Sequence, residues 1–145
     1  WTARPLGLDM TAARRLATNT WNRARVRCDH LLAPPQPWAI VDYAVVEDPD
    51  VRASLAWTVT REGAAHGLGA GLDRLVGDDA RVSNAPDAHP AIRPDRIYSP
   101  VFFPFSEPVP VDAGDVITVE LSARLMGDDS GWWWKSAAMP CARKC

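Results

Sequence analysis

The residues that could carry out catalysis are scattered along this sequence rather than grouped in a motif. The three histidines, His30, His66 and His89, lie in different segments and do not have the spacing of metal ligands. A Ser–His–Asp triad can be composed from Ser83, His66 and Asp73. No Gly-x-Ser-x-Gly turn surrounds the serine, however, as it does in nucleophile elbows. We therefore predict that this chain contains no catalytic residue.

Carboxylates and cysteines are also arranged without a recognisable site. Glu62 and Glu120 lie in separate segments, so paired-carboxylate hydrolysis has no support. The three cysteines are Cys28, Cys141 and Cys145, and they form no Cys-x-x-Cys pair. We therefore predict neither a metal site nor a disulfide framework, and we interpret the chain as a reduced, cytoplasmic protein.

Three closely spaced glycines, Gly67, Gly69 and Gly71, suggest a phosphate-binding loop at first sight. Such a loop must join a strand to the N-terminus of a helix, whose free amides bind the phosphate. These glycines fall inside a predicted strand instead. We therefore predict a structural role for them and no cofactor site in this chain.

The seven tryptophans include a run of three, Trp132, Trp133 and Trp134. Successive side chains on a strand point to opposite faces, so at least one of the three must point away from the core. The interpretation we favour places Trp132 and Trp134 in the core and Trp133 under a neighbouring element. The alternative is an exposed Trp133 that stacks on a ligand or is buried by a partner.

The composition narrows the class of protein further. A length of 145 residues fits one domain, and a net charge of −2 excludes a broadly basic nucleic-acid binder. No apolar run reaches the roughly 18 residues of a membrane span, so we expect no membrane partner. The 13 prolines disfavour a helix bundle and a large α/β domain.

The periodicity of apolar residues predicts one helix followed by strands. The helix covers about 10–18, with Asp9 as its N-cap. Strands are predicted at 23–28, 38–46, 53–61, 64–76, 101–105, 116–125 and from 132 onwards, with a long loop at 77–100. The predicted fold is therefore mainly β: an antiparallel β-barrel or sandwich with one short N-terminal helix.

We divide the chain into three parts on this pattern. Residues 1–22 are an irregular segment with the short helix, and residues 23–138 are the β-barrel domain. Residues 139–145 are a flexible tail. The ends of the sequence lead us to expect a piece of a longer protein.

Six short segments, taken in order, resemble the C-terminal β-barrel domain of the protein arginine methyltransferases or of a related bacterial methyltransferase. They extend over about 125 residues. Trp1 followed by Gly-Leu-Asp-Met-Thr at 7–11 is similar to the family's Trp…Tyr-Gly-Phe-Asp-Met-Ser. The other segments are Ile-Val-Asp at 40–42, the strand and turn at 55–68 with Leu-Asp at 72–73, Val-Ser-Asn-Ala-Pro at 82–86, and two barrel-closing segments at 102–109 and 114–117.

The resemblance implies the substrate-side domain of an S-adenosylmethionine-dependent methyltransferase. In that family the cofactor and the catalytic glutamates belong to a separate N-terminal domain, so this domain would be inactive alone. A protein or peptide would be the substrate. The resemblance implies substrate-binding residues at Ser83, Asn84, Arg96 and Tyr98.

The resemblance also implies a homodimer formed through the helix, with Met10, Ala13, Leu16 and Ala17 at the interface. The helical segment is then what is left of the family's dimerisation arm.

One departure from the family pattern concerns the methyl acceptor. Ile97 stands where the family has the histidine of its Thr-His-Trp loop, and isoleucine cannot transfer a proton.

Two functions other than methyl transfer remain open. One is a non-catalytic β-sandwich that binds sugar or peptide through Trp133 and the 77–100 loop. The other is a dimerisation or scaffold domain.

Overall fold

A computed structural model describes residues 4–77, 80–88 and 99–139 of the chain. Over these residues the protein is mainly β, with 48% of residues in strands and 11% in helices. The described strands are β1 Asn22–Arg23, β2 Val51–Thr58, β3 Gly63–Ala70, β4 Asp73–Val76, β5 Ala80–Ser83, β6 Val101–Val111, β7 Val116–Met126 and β8 Asp129–Met139. They form three antiparallel sheets, which confirms the predicted fold class. In the described part of the chain, no sheet closes into a barrel.

The predicted N-terminal helix is present as α1, Thr11–Thr18. The predicted N-cap is wrong by one residue, because Met10 occupies that position and makes no side-chain cap hydrogen bond. Asp9 lies one residue earlier, and its carboxylate accepts hydrogen bonds from the Thr11 amide at 3.0 Å and the Thr11 hydroxyl at 2.6 Å. These bonds satisfy a donor that the first turn leaves free. They also lower the pKa of the Asp9 carboxyl, because they stabilise its charged form.

The chain divides into two compact units. The first contains the described residues up to Leu31 together with those from His66 to Pro108. The second contains Leu32–Ala65 and the described residues from Val109 onwards. The sheet β1–β6–β3 and the hairpin β4–β5 belong mainly to the first unit, and the sheet β2–β7–β8 belongs to the second.

Period-two alternation places the apolar side chains of β7 on one face of the β2–β7–β8 sheet. Ile117, Val119 and Leu121 are at most 8% exposed, whereas Glu120 on the opposite face is exposed. Leu55 of β2 lies directly opposite Val119, so it shares the inner face. The buried apolar side chains of the second unit are Val59, Ala65, Val111, Ile117, Val119 and Leu121.

Strand β6 is longer than the predicted 101–105, because three prolines do not interrupt it. Pro104, Pro108 and Pro110 all occupy even-numbered positions, four and then two residues apart along the strand. Backbone amides alternate between the two edges of a strand, so all three missing donors lie on one edge. The other edge keeps its donors. Strand β1 pairs with β6 only at Val101 and Phe102, before the first of these prolines.

The predicted strand at 38–46 is wrong, although its residues have high β-propensity. The Asp42 carboxylate accepts a hydrogen bond from the Ala44 amide at 2.9 Å. The Asp42 carbonyl accepts from the Val46 amide at 2.9 Å, which closes a turn. An aspartate that bonds to the backbone two residues on competes with strand pairing. The segment therefore bends, and it joins none of the described sheets.

The predicted strand at 64–76 is divided into β3 and β4. The break at residues 71 and 72 arises because the Asn84 side-chain oxygen accepts a hydrogen bond from the Leu72 amide at 2.8 Å. Strand β4 then turns back to pair with β5. Strand β5 lies inside the segment predicted as a loop, and the predicted strand at 23–28 is reduced to β1.

Among the residues that the structure describes, no helix is both long and apolar enough to cross a lipid bilayer.

Candidate functional site

The sequence-predicted substrate residues are only partly within the described chain. Arg96 and Tyr98 lie outside it, as does Ile97. Ser83 is 2% exposed, and its hydroxyl accepts a hydrogen bond from the Ala85 amide at 3.3 Å. Asn84 is half-buried and bonds to Leu72. Ser83 and Asn84 therefore stabilise the end of the β4–β5 hairpin at which Asp73 pairs with Ser83.

This role gives a direct test. In Asn84→Ala, the Leu72 amide loses its acceptor, and we expect the free energy of unfolding to fall by about 1–2 kcal/mol. Asn22→Ala is the matched control, because Asn22 is exposed and its amide donates only to the Thr20 carbonyl within the same segment. Urea denaturation of both variants measures the difference. Equal stability of the two variants would contradict the structural role of Asn84.

The residues of the composed triad are not assembled for catalysis. Asp73 and Ser83 are cross-strand partners in the β4–β5 hairpin. The Asp73 carboxylate is held by the Arg81 guanidinium, whose hydrogen bond and charge keep the pKa of that carboxyl below its ordinary value. His66 is exposed, and its imidazole makes no hydrogen bond with any described residue.

The glycine-rich segment does not fit a cofactor phosphate. Gly67 lies against the Phe102 ring and the Phe103 carbonyl, and Gly69 faces the Val26 side chain. Both belong to β3 of an antiparallel sheet, with no helix following. The glycine-rich segment therefore lacks the strand-to-helix geometry of a phosphate-binding loop. Residues 4–77, 80–88 and 99–139 also contain no group of three His, Cys, Asp or Glu side chains that could hold a metal ion.

The four helix residues assigned to dimerisation differ in solvent exposure. Met10, Ala13 and Ala17 are half-buried within the chain itself, whereas Leu16 is 73% exposed. The neighbouring Arg14 donates to the Ser106 carbonyl at 2.8 Å. The helix is thus tied to β6, and of the four residues Leu16 is the one most available to a partner.

The three consecutive tryptophans alternate as strand geometry requires. Trp132 and Trp134 are half-buried, whereas Trp133 on the opposite face is 49% exposed. Trp132 packs against Trp38 with ring centroids 5.9 Å apart and planes tilted by 54°. This tilted arrangement is favourable for two indole rings. Trp133 therefore points to the outer face of the β2–β7–β8 sheet.

Around Trp133 the outer face forms an open depression of about 240 Å³. The register explains it, because Arg52, Ser122 and Trp133 stand opposite one another in a row across the three strands. The small serine in the middle leaves space between the guanidinium and the indole. We call this surface the Trp133 face; it consists of Arg52, Glu120, Ser122, Arg124, Trp133 and Lys135.

The charges of the Trp133 face are mixed, with cations in excess. Arg52 lies 3.5 Å from the Glu120 carboxylate, and Arg124 lies 4.0 Å from Asp50. Lys135 stands opposite Glu120 in the register, but its ammonium group makes no ion pair or hydrogen bond with any described residue. The face can therefore offer a flat apolar surface and an uncompensated cation. Sequence reasoning identified Trp133 but not its neighbours, because their proximity depends on strand register.

Comparison of the sequence with protein-family models and with curated proteins yields no significant match.

Proposed function

We propose that this chain is the substrate-side β domain of a methyltransferase that uses S-adenosylmethionine and resembles the protein arginine methyltransferases. The order of the six similar segments supports this proposal. The antiparallel β fold with one preceding helix agrees in class with the resemblance, although the described sheets do not close into the barrel that it implies. A separate domain would supply the cofactor, and a protein or peptide would be the methyl acceptor.

The observation that carries the proposal is the exposed apolar surface of residues 38–46. Within this segment Ile40 is 93% exposed, Tyr43 is 76% exposed and Val45 is 73% exposed. Soluble domains rarely leave several large apolar side chains together in water, and such a patch indicates a contact with another protein surface. A cofactor domain of the same protein would be the partner that covers it. The segment includes 40–42, one of the six similar to the family.

Two further points complete the proposal. The exposed Leu16 of α1 supports a homodimer contact through the helix. Cys28 is exposed and forms no disulfide with another described residue, which is compatible with the reducing cytoplasm that we assign to the protein.

The test uses the protein made from the complete coding sequence. We expect it to bind S-adenosylmethionine and to transfer a tritiated methyl group to a peptide. Ile40→Asp should lower that transfer at least about tenfold, because a charge would be buried in the domain contact. Leu75→Asp is the control, since Leu75 is 75% exposed and lies in β4. No cofactor binding by the complete protein, or equal activity of the two variants, would overturn the proposal.

A further inference from the structure

We propose that the Trp133 face binds an acidic oligosaccharide, with one pyranose ring stacked on Trp133 and carboxylates of different sugar units held by Lys135 on one side of the Ser122–Trp133 row and by Arg124 on the other. The inference does not depend on the methyltransferase proposal. It rests on the shape, charge and free groups of the outer face of the β2–β7–β8 sheet.

The first argument is the position of the indole ring. A Cβ added at Gly131 would come within 2.6 Å of Trp133 Cη2 and within 3.0 Å of Trp133 Cζ3. The ring therefore lies over the glycine, along its own strand, rather than standing upright from the sheet. A flat-lying ring that is 49% exposed presents a broad apolar surface. The C–H face of a pyranose is complementary to such a surface.

The second argument is electrostatic. Lys135 follows Trp133 by two residues on the same face of β8, and no described carboxylate pairs with it. Arg124 is held only by a 4.0 Å contact with Asp50, so its guanidinium can also turn towards a ligand. Carboxylates on different units of a bound oligosaccharide would receive charge-assisted hydrogen bonds from these two cations. The face therefore favours an anionic sugar over a neutral one.

The Trp133 face offers both hydrogen-bond donors and hydrogen-bond acceptors to a ligand. Ser122 and Glu120 lie on the floor and rim of the depression, and both can accept hydrogen bonds. The Trp133 indole N–H makes no hydrogen bond with any described residue, so it is a free donor. Sugar hydroxyls both donate and accept, and they match such a mixed set. The volume of about 240 Å³ suits one ring of a longer chain.

Two other classes of macromolecule fit the same face less well. Single-stranded nucleic acid uses a succession of aromatic platforms along a positive groove. In the described residues this face has one tryptophan, so it lacks the succession of stacking platforms that such a strand requires. An extended peptide pairs with the edge of a sheet, whereas this depression lies across the middle strand.

The experiment titrates the purified chain with a trimer of galacturonic acid and follows tryptophan fluorescence and heat of binding. We expect saturable binding that weakens as salt is added, and much weaker binding of a neutral glucose trimer. Trp133→Ala should weaken binding by about tenfold or more, since it removes the stacking surface. Lys135→Gln should weaken it severalfold and reduce its dependence on salt.

Matched variants distinguish loss of the Trp133 site from loss of any exposed tryptophan and from unfolding. Trp21→Ala removes another exposed tryptophan, 43% exposed and in the first unit, and it should bind as the parent chain does. Circular dichroism confirms that each variant is folded. If Trp133→Ala is unfolded, Trp133→Phe replaces it, with a smaller expected loss. The proposal is overturned by no binding of the acidic trimer, by equal binding of the neutral trimer, or by equal losses in the Trp21 and Trp133 variants. Tighter binding of a single-stranded oligonucleotide or an acidic peptide would also overturn it.

Discussion

Leu121→Ala is expected to lower the free energy of unfolding by about 2–5 kcal/mol. Leu121 is 1% exposed on the inner face of β7, between Ala53 of β2 and Trp134 of β8 in the register. Truncation removes buried apolar surface and leaves a cavity that rigid neighbouring strands cannot fill. Urea denaturation monitored by circular dichroism measures the effect as a lower midpoint with an unchanged slope.

The same strand provides the control. Leu125 lies four residues further along β7 and is 57% exposed. We expect Leu125→Ala to change the free energy of unfolding by only about 0.5 kcal/mol or less. If the two leucine variants lose similar stability, the inner face of the β2–β7–β8 sheet is not the core of the second unit.

Gly67→Ala is expected to destabilise the protein by about 3 kcal/mol, through overpacking rather than through a cavity. A Cβ at this position would overlap the Phe103 carbonyl oxygen and would come within 2.6 Å of Phe102 Cζ. The carbonyl belongs to the backbone of β6, so the collision cannot be relieved by a change of rotamer. Phe103 is also fully buried, which leaves the strand little freedom to shift. The melting temperature and the urea midpoint should both fall.

Gly69→Ala, two residues further along β3, is the control. It shows how much any glycine-to-alanine change in this strand alters stability without the close contact between β3 and β6. A Cβ at Gly69 would lie 3.3 Å from Val26 Cγ2, a side-chain methyl that can move. We therefore expect a change within about 1 kcal/mol. A similar loss in both variants would show that β3 and β6 do not approach each other closely at Gly67.

Much of the fold follows from local pattern. The apolar helical face after Asp9 is enough to predict α1, because helical periodicity is a local pattern, although the N-cap is Met10 rather than Asp9. Strict alternation is enough to predict β7, because the pattern has the period of a strand with one buried face. The same rule predicts that Trp133 points away from Trp132 and Trp134.

Two of the errors have local causes that compete with the pattern, and a third depends on a residue further along the chain. The apolar run at 38–46 has the composition of a strand, but the Asp42 side chain bonds to the backbone and bends it. The prolines of β6 suggest that this strand ends early, but because they all occupy even-numbered positions their missing amide donors lie on one edge of the strand. The break before β4 depends on Asn84, which lies 12 residues from Leu72.

What could be derived from the sequence alone about this protein is its mainly β class, its single N-terminal helix and the opposite orientation of Trp133 from its neighbours. These properties depend on periods and caps that act over a few residues. Only the tertiary structure decided that Arg52, Ser122 and Trp133 share one row and that residues 38–46 are exposed. Strand register joins residues up to 81 positions apart in this row, and no local preference specifies such a pairing.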